Sequence, residues 1–173
     1  GCSSLVVVVR HVPIFAAKEL NFVVKTLHDG GFFIPLGPKN QEKMILIADS
    51  GSTKTDWAVL GAPGGSSVRI ATQGINPLLF TDDQIDGVFR QELLPRLDEA
   101  GVPASEVSEV AFYGAGCTPQ QSPRVAMLLS TLFPSAETFA ESDLLGAARA
   151  VLGREQGIAC ILGTGANSCV YDG

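Results

Sequence analysis

The alternation of hydrophobic and polar positions along the chain predicts strands and helices in a definite order. From residue 44, MILIAD is almost wholly apolar, as in a buried strand, and TDWAVLG alternates polar with apolar residues, as in a strand with one buried face. The glycine-rich stretch GAPGGSS predicts a hairpin loop, after which VRIATQG predicts a third strand. Three strands therefore follow one another before the first helix of this region.

Helical spacing of apolar residues replaces strand alternation in three later segments. TDDQIDGVFRQELLPRLDEA has an apolar stripe behind a candidate N-cap at Thr81, SPRVAMLLSTLF has a proline in its first turn, and DLLGAARAVLG ends at Gly153. The strands VSEVAFYGAG and AETFAES separate these helices, and GIACILG and NSCVYDG follow the last one. The order βββαβαβα, followed by two more strands, predicts an α/β fold with a mixed sheet.

Residues 1–43 differ in character from the rest of the chain. AAKELNFVVKTLHDGG has apolar residues at helical spacing, and FFIPLGPKNQEK reads as a linker. We therefore expect an N-terminal extension over 1–43 that lies outside the core and a first lobe over 44–155. Residues 156–173 are expected to begin a second lobe. Uniform protease protection across 1–43 would contradict the first of these expectations.

Composition and charge exclude several classes of function. Hydrophobic residues make up 46% of the 173 residues and charged residues 17%, which is typical of a globular chain. A net charge of −6 argues against a nucleic-acid partner, because phosphate-backbone binding needs clustered Lys and Arg. No apolar run approaches the length of a membrane span, and the four cysteines form no CxxC pair, so reduced thiols in the cytoplasm are expected.

The stretch ADSGSTKTDW, at the end of the first predicted strand, suggests a phosphate-binding turn. It is not a P-loop, because no glycine stands in the GxxxxGK(S/T) spacing before Lys54 and a strand rather than a helix follows. A β-hairpin turn can still offer amides and hydroxyls to phosphate, here from Gly51, Ser52, Thr53, Lys54 and Thr55. Asp49 ends a buried strand and is a candidate ligand of hydrated Mg²⁺, whereas Asp56 reads as an ordinary turn acid.

The same pattern recurs near the C-terminus. GSTKTDWAVLG, from Gly51, aligns without gaps on GTGANSCVYDG, from Gly163, and each follows a buried apolar strand. A repeat at this spacing predicts two similar lobes, each with a glycine-rich hairpin. Two such hairpins facing one cleft would hold the phosphates of one nucleotide from both sides.

Four motifs in a fixed order resemble those of the actin-like ATPase and sugar-kinase superfamily. DSGSTKTDW is similar to its first phosphate motif, FYGAG to its connecting motif, and ESDLLGAARA followed by ILGTGANS to its catalytic acid and second phosphate turn. TQGINPLLF resembles the sugar-side loop of the N-acetylglucosamine kinases, which belong to the BadF/BadG/BcrA/BcrD-type family. The resemblance covers residues 44–173 and implies a ribonuclease H-like lobe followed by the first hairpin of a second, similar lobe.

The resemblance also implies a function and site residues. It implies ATP and Mg²⁺ as cofactors, a small amino sugar as substrate, a cytoplasmic enzyme and a homodimer in the full-length protein. Asp143 matches the general base that takes the proton of the attacking sugar hydroxyl, although its place at a helix start also suits a helix cap. The remaining matches are phosphate contacts at Gly163, Thr164 and Gly165 and sugar contacts at Asn76, Asp143, Thr164, Gly165 and Asn167.

One departure from the resemblance leads to a further expectation. The family's adenosine-binding segment lies beyond its second hairpin and has no counterpart in these 173 residues. We therefore expect weak or no kinase activity from this chain alone, and robust turnover that depends on ATP and sugar would contradict this.

Two other functions stay open at this point. One is a BadF-type ATPase activator of a dehydratase, for which Cys117 in GAGC is a candidate iron–sulfur ligand. The other is a sensing domain that binds sugar or nucleotide without transfer.

Overall fold

A computed structural model describes residues 6–10, 43–62, 68–162 and 166–173 of the chain. These residues fall into two compact units, Lys39–Asp143 and a second unit formed by Gly1–Pro38 with Leu144–Gly173. The helix predicted near residues 16–30 and the linker after it lie outside the described residues. No helix in the described ranges is long and apolar enough to cross a membrane.

The unit Lys39–Asp143 is built on a five-stranded mixed sheet. β3 (Lys54–Leu60) is antiparallel to both β2 (Met44–Ser50) and β4 (Val68–Gln73). β5 (Val107–Gly114) and β6 (Glu137–Ser142) continue the sheet from β2 in parallel. The spatial order is β4-β3-β2-β5-β6. The first strand of the chain, β1 (Val6–Arg10), belongs to the other unit.

The predicted helix after Thr81 is present and has an interruption. α1 (Asp82–Val88) begins with a capping box between Thr81 and Gln84, as the sequence predicts for its N-cap. A π-helical turn over Phe89–Leu93 then leads into α2 (Leu94–Glu99). The wider turn accommodates Pro95, which has no amide hydrogen and whose ring clashes with the preceding turn of a regular helix. A 3₁₀ turn (Ala104–Glu106) precedes β5, and α3 (Ser122–Leu132) joins β5 to β6.

The core of this unit lies between one face of the sheet and these helices. Trp57 of β3, Phe112 of β5 and Phe89 of the π-helical turn are at most 1% exposed, with ring centroids 5.9 to 6.4 Å apart in tilted or edge-on pairs. The Trp57 indole nitrogen donates to Thr72 Oγ1 at 3.0 Å, so the only polar atom of this side chain is satisfied. Aromatic pairs of this geometry each stabilise a core by about 0.5–1.5 kcal/mol beyond the area they bury.

The second unit contains a three-stranded sheet and one helix. β7 (Gly157–Leu162) lies between β1 (Val6–Arg10), which is parallel to it, and the antiparallel β8 (Ala166–Tyr171). α4 (Asp143–Leu152) ends before Gly153, whose φ of 60° suits the predicted glycine stop. The division of the chain at residues 43 and 155 stays a prediction, and five residues of the predicted extension form β1.

The topology of the larger unit matches the fold predicted from the sequence. Three antiparallel strands followed by two parallel strands reached through helices give the order β4-β3-β2-β5-β6. This is a ribonuclease H-like lobe of the actin and sugar-kinase type, so the predicted fold class is confirmed.

Candidate functional site

One edge of the five-stranded sheet brings most of the described candidate residues together. Ser50 pairs with Gly114, and Gly114 pairs with Ser142, so the carboxyl ends of β2, β5 and β6 are level with one another. β4 runs in the same direction and ends at this edge with Gln73. In open α/β sheets, ligands bind in the crevice outside the carboxyl ends of the parallel strands. The loops after these four strands therefore form the candidate site.

The turn between β2 and β3 is exposed and fits a phosphate. Gly51 N–H donates to Lys54 O at 2.9 Å and closes the turn. Ser52 and Thr53 are exposed, and their amides donate to no residue in the described parts of the chain. The predicted β-hairpin is therefore present, and Lys54 pairs with Asp56 at 2.6 Å. Free amides and hydroxyls in a tight turn are suited to an anion, since they supply several hydrogen-bond donors that point to one place.

The glycine that this turn needs is Gly74, and the sequence analysis did not select it. A Cβ on Gly51 would meet only Lys54 O at 3.6 Å, which is an ordinary contact. A Cβ on Gly74 would lie 2.5 Å from Gly51 O and 2.6 Å from both Ser52 C and Lys54 N. The turn therefore packs directly against Gly74, where only a residue without a Cβ leaves room for its main-chain atoms.

A buried hydrogen-bond network joins this turn to the loop after β4. Ser50 and Thr55 are both fully buried, and their hydroxyl oxygens lie 2.7 Å apart. Ser50 Oγ also accepts from Ile75 N–H at 3.0 Å, and Thr55 Oγ1 donates to Gln73 O at 3.0 Å. The Thr55 hydroxyl, predicted as a phosphate contact, therefore lies inside the lobe. It supports the turn from below.

The acids at this edge lie on the face of the sheet opposite the aromatic core. Asp49 pairs directly with Asp56 on β3 and with Tyr113 on β5, and Tyr113 pairs with Glu141 on β6. Side chains of directly paired residues share one face, so Asp49 and Asp56 are neighbours and their carboxylates repel. The ion pair with Lys54 offsets that repulsion. Asp56 is thus a strand residue and not a turn acid.

The half-buried Asp49 is compatible with the predicted Mg²⁺. Mg²⁺ is usually held by one or two carboxylates together with substrate phosphates and water. The described residues contain no group of three or more His, Cys, Asp or Glu that could hold a metal ion by themselves. A magnesium ion at Asp49 would therefore take most of its ligands from bound phosphate and water.

Asp143 lies at the same edge, after β6. It is the first residue of α4, which places the cap position on Ser142. The Cys117 thiol is 3% exposed, and its pKa is raised to about 12, first by burial and then by the charges of Asp143 and Glu141. Both carboxylates therefore lie close enough to act on this sulfur. The thiol is neutral at physiological pH, because a buried thiolate beside two carboxylates is strongly disfavoured.

The loop that carries Asn76 is folded around that residue. Its main-chain oxygen accepts from Leu79 and Phe80 N–H, both at 3.0 Å, and its Oδ1 accepts from Leu78 N–H at 3.0 Å. Its side chain packs on Gly116, where φ is +84° and where a Cβ would overlap the Asn76 amide. Within the described residues the Asn76 Nδ2 group donates to no partner, so it is the part that can contact a substrate.

The remaining predicted site residues belong to the second unit. Gly163, Thr164 and Gly165 lie outside the described residues. Asn167 is exposed on β8, opposite Ile161, and its Oδ1 accepts from Ser168 N–H at 2.9 Å. The structure thus gathers Asp49, the turn, Asn76 and Asp143 at one edge. It adds Ser50, Gly74 and Gly116 as supports that only a structure reveals.

Comparison with solved structures shows which known proteins the chain is similar to. No protein-family model matches the chain, and a search of curated proteins finds no significant match. Among solved structures, the chain is 49% identical to a protein of Porphyromonas gingivalis described provisionally as an N-acetylglucosamine kinase, with a TM-score of 0.66. The fold is that of a sugar-kinase lobe. The match covers 75% of this chain and 45% of that protein, so the chain spans less than half of its relative's length.

A second similar structure is more remote. YeaZ from Pseudomonas aeruginosa is 18% identical and has a TM-score of 0.41, over 74% of this chain and 68% of that protein. No functional argument rests on a similarity at this level.

Proposed function

We propose that this chain is the phosphate- and sugar-binding lobe of a kinase that transfers the γ-phosphate of ATP to an N-acetylated amino sugar. The observation that carries the proposal is the convergence of a free-amide turn, the Asn76 loop and Asp143 at one sheet edge. The 49% identity to the Porphyromonas protein supports the choice of an amino sugar. A BadF-type relationship, cytoplasmic location and a homodimer are parts of the same proposal, supported by the resemblance of the motifs.

Each residue of the site has a defined part in the proposed transfer. The amides and hydroxyls of Ser52 and Thr53 hold phosphate oxygens, and Lys54 adds a positive charge at the turn. Asp49 would hold Mg²⁺, which supplies charge neutralisation on the phosphates. Asn76 Nδ2 donates to a sugar oxygen. The Asp143 carboxylate orients the sugar hydroxyl and accepts its proton as the hydroxyl oxygen attacks the γ-phosphorus, and ADP leaves with the bridging oxygen.

A carbohydrate-panel kinase assay on the complete gene product tests the proposal. Phosphoryl transfer is measured for N-acetylglucosamine, N-acetylmannosamine, glucosamine and glucose at equal concentrations with MgATP. The proposal predicts the highest kcat/KM for an N-acetylated amino sugar. Equal hydrolysis of ATP with and without every sugar would contradict it and would favour an ATPase.

The alternative activator function has no support from the environment of Cys117. The Cys117 thiol is only 3% exposed, and the described residues contain no group of three or more His, Cys, Asp or Glu that could hold a metal ion. An iron-dependent visible absorption band in the purified protein would revive this alternative. The sensing-domain alternative is tested by replacement of Asp143. A sensing domain would keep its full function, which is sugar binding, whereas a kinase would lose turnover.

A further inference from the structure

Arg124 on α3 ties that helix to the loop between β4 and α1. Its Nη1 donates to Pro77 O at 2.8 Å and to Gln121 Oε1 at 3.0 Å, and its Nη2 donates to Phe80 O at 2.6 Å. Its Nε donates to the Asp82 carboxylate, with which it also forms an ion pair. One guanidinium thus holds two main-chain carbonyls of the loop and the first residue of the following helix, across more than 40 positions of sequence.

Only part of the loop's outer half packs in the core, since Pro77 is buried and Phe80 is half-buried against the core. Leu78 and Leu79 are 58% and 75% exposed, so neither side chain anchors the loop in the core. The inner end is fixed by the bonds between Ile75 and Ser50. The outer end, from Pro77 to Phe80, receives its long-range side-chain bonds from Arg124 among the described residues. Asn76 lies between these two anchors.

We propose that Arg124 is a positioning residue that sets the conformation of the Asn76 loop and thereby the affinity of the lobe for its sugar. The inference rests on the proposed function, since it gives the loop a sugar to bind. A guanidinium suits this part because it presents donors in several fixed directions at once, which a lysine does not. Its side chain is 26% exposed, so its bonds to the carbonyls are partly shielded from water.

Pre-organisation of the loop explains why the affinity for the sugar would depend on a residue that does not touch the sugar. A loop held in its binding conformation pays less ordering entropy when the ligand arrives. Loss of Arg124 leaves Pro77 O and Phe80 O without their charged donor and frees the loop to sample other conformations. The nucleotide turn contacts the inner end of the loop, through Gly74 and Ser50, and not the outer end that Arg124 holds, so ATP binding should change little.

The test compares Arg124→Met, Arg124→Lys and the matched control Arg90→Met in the complete gene product. Arg90 also pairs with an acid, Asp86 at 2.7 Å, and none of its bonds reaches the loop. Hydrogen exchange is measured at the amides of Leu78, Leu79 and Phe80, and KM is measured for the sugar and for ATP. A melting curve for each variant establishes that it is folded.

The proposal predicts a selective effect of Arg124. In Arg124→Met, exchange at the three amides and the sugar KM should each rise about tenfold, with the KM for ATP changed less than about twofold. Arg124→Lys should lie between this variant and the unaltered protein, and Arg90→Met should match the unaltered protein.

Two outcomes would overturn the inference in distinguishable ways. Unchanged exchange at the loop amides in a folded Arg124→Met protein would show that Arg124 does not set the loop, whatever the activity. Faster exchange with an unchanged sugar KM would show that the loop does not bind the sugar. If the unaltered protein phosphorylates no sugar, the proposed function itself fails, and the exchange result still reports on the loop.

Discussion

Replacement of Gly74 by alanine perturbs the candidate phosphate turn, whose main-chain atoms pack against this glycine. The added Cβ would lie 2.5 Å from Gly51 O and 2.6 Å from Ser52 C and Lys54 N, all of which are main-chain atoms. An unstrained contact needs about 3.4 Å, so the turn must move by nearly 1 Å. Main-chain atoms cannot rotate away as a flexible side chain can. The strain therefore falls on the turn and on the Ser50 network beneath it.

The expected cost follows from this overlap. Overpacking by one methyl group in a tight site costs about 1–3 kcal/mol, and about 2 kcal/mol would lower the melting temperature of a lobe of this size by roughly 10 °C. Two matched variants serve as controls. Gly51→Ala has ordinary room, and Gly87→Ala on α1 meets no atom within 4 Å. The second should be stabilising by about 0.5–1 kcal/mol, since alanine is the better helix former.

Thermal melting and ATP titration of the three variants provide the assay. We expect Gly74→Ala to melt well below the unaltered protein and to bind ATP more weakly, because the amides of Ser52 and Thr53 are displaced. Gly51→Ala should melt within about 3 °C of the unaltered protein. A Gly74→Ala protein as stable as Gly87→Ala would show that the turn does not rest on Gly74, and the geometry argued for the site would be wrong.

Two other predictions follow from the buried groups at this edge. Ser50→Ala leaves the buried Ile75 N–H without an acceptor and should lower the free energy of unfolding, measured in urea, by about 1–3 kcal/mol. The control Ser130→Ala, on the exposed face of α3, should lower it by less than about 0.5 kcal/mol. Equal losses in the two variants would refute the network. The Cys117 pKa is raised from 9.0 to about 12, so the neutral thiol stabilises the fold below pH 9, and this contribution is lost as the pH rises toward 12. The stability difference between the unaltered protein and Cys117→Ala should therefore shrink across that range, and a constant difference would contradict the raised pKa.

The strands and helices of the larger unit could be predicted because their patterns are local. Alternation over MILIAD and TDWAVLG gave β2 and β3, and the Thr81 cap with its apolar stripe gave α1. The order of these elements, with the rule that parallel strands need helical crossovers, was enough to predict the sheet. The break at Phe89–Leu93 was missed, since a proline within a helical pattern predicts a disturbance and not its kind.

The residues that hold the site in place could not be predicted from the sequence, because their parts depend on contacts between residues far apart in the chain. Gly74 and Gly51 are both glycines beside a strand, and only the packed turn shows which of them lacks room. Arg124 reads as an exposed helical arginine until Pro77 and Phe80 are brought to it. Ser50 stands among several hydroxyl residues in the sequence, and only the folded lobe shows that it bonds Ile75. The sequence shows which residues have the chemistry that the site needs, whereas it does not show which of them lie next to one another.

The most direct test of the central claim is the kinetic effect of Asp143→Asn in the complete gene product. Asparagine keeps the size and hydrogen-bonding capacity of the side chain but cannot accept the proton of the sugar hydroxyl. We predict that kcat for sugar phosphorylation falls by about 10²–10⁴-fold, while the dissociation constant for the sugar, measured by calorimetry, changes by less than about threefold. Unchanged kcat in a protein that still binds the sugar would contradict the assignment of Asp143 as the base and, with it, the kinase mechanism proposed for this lobe.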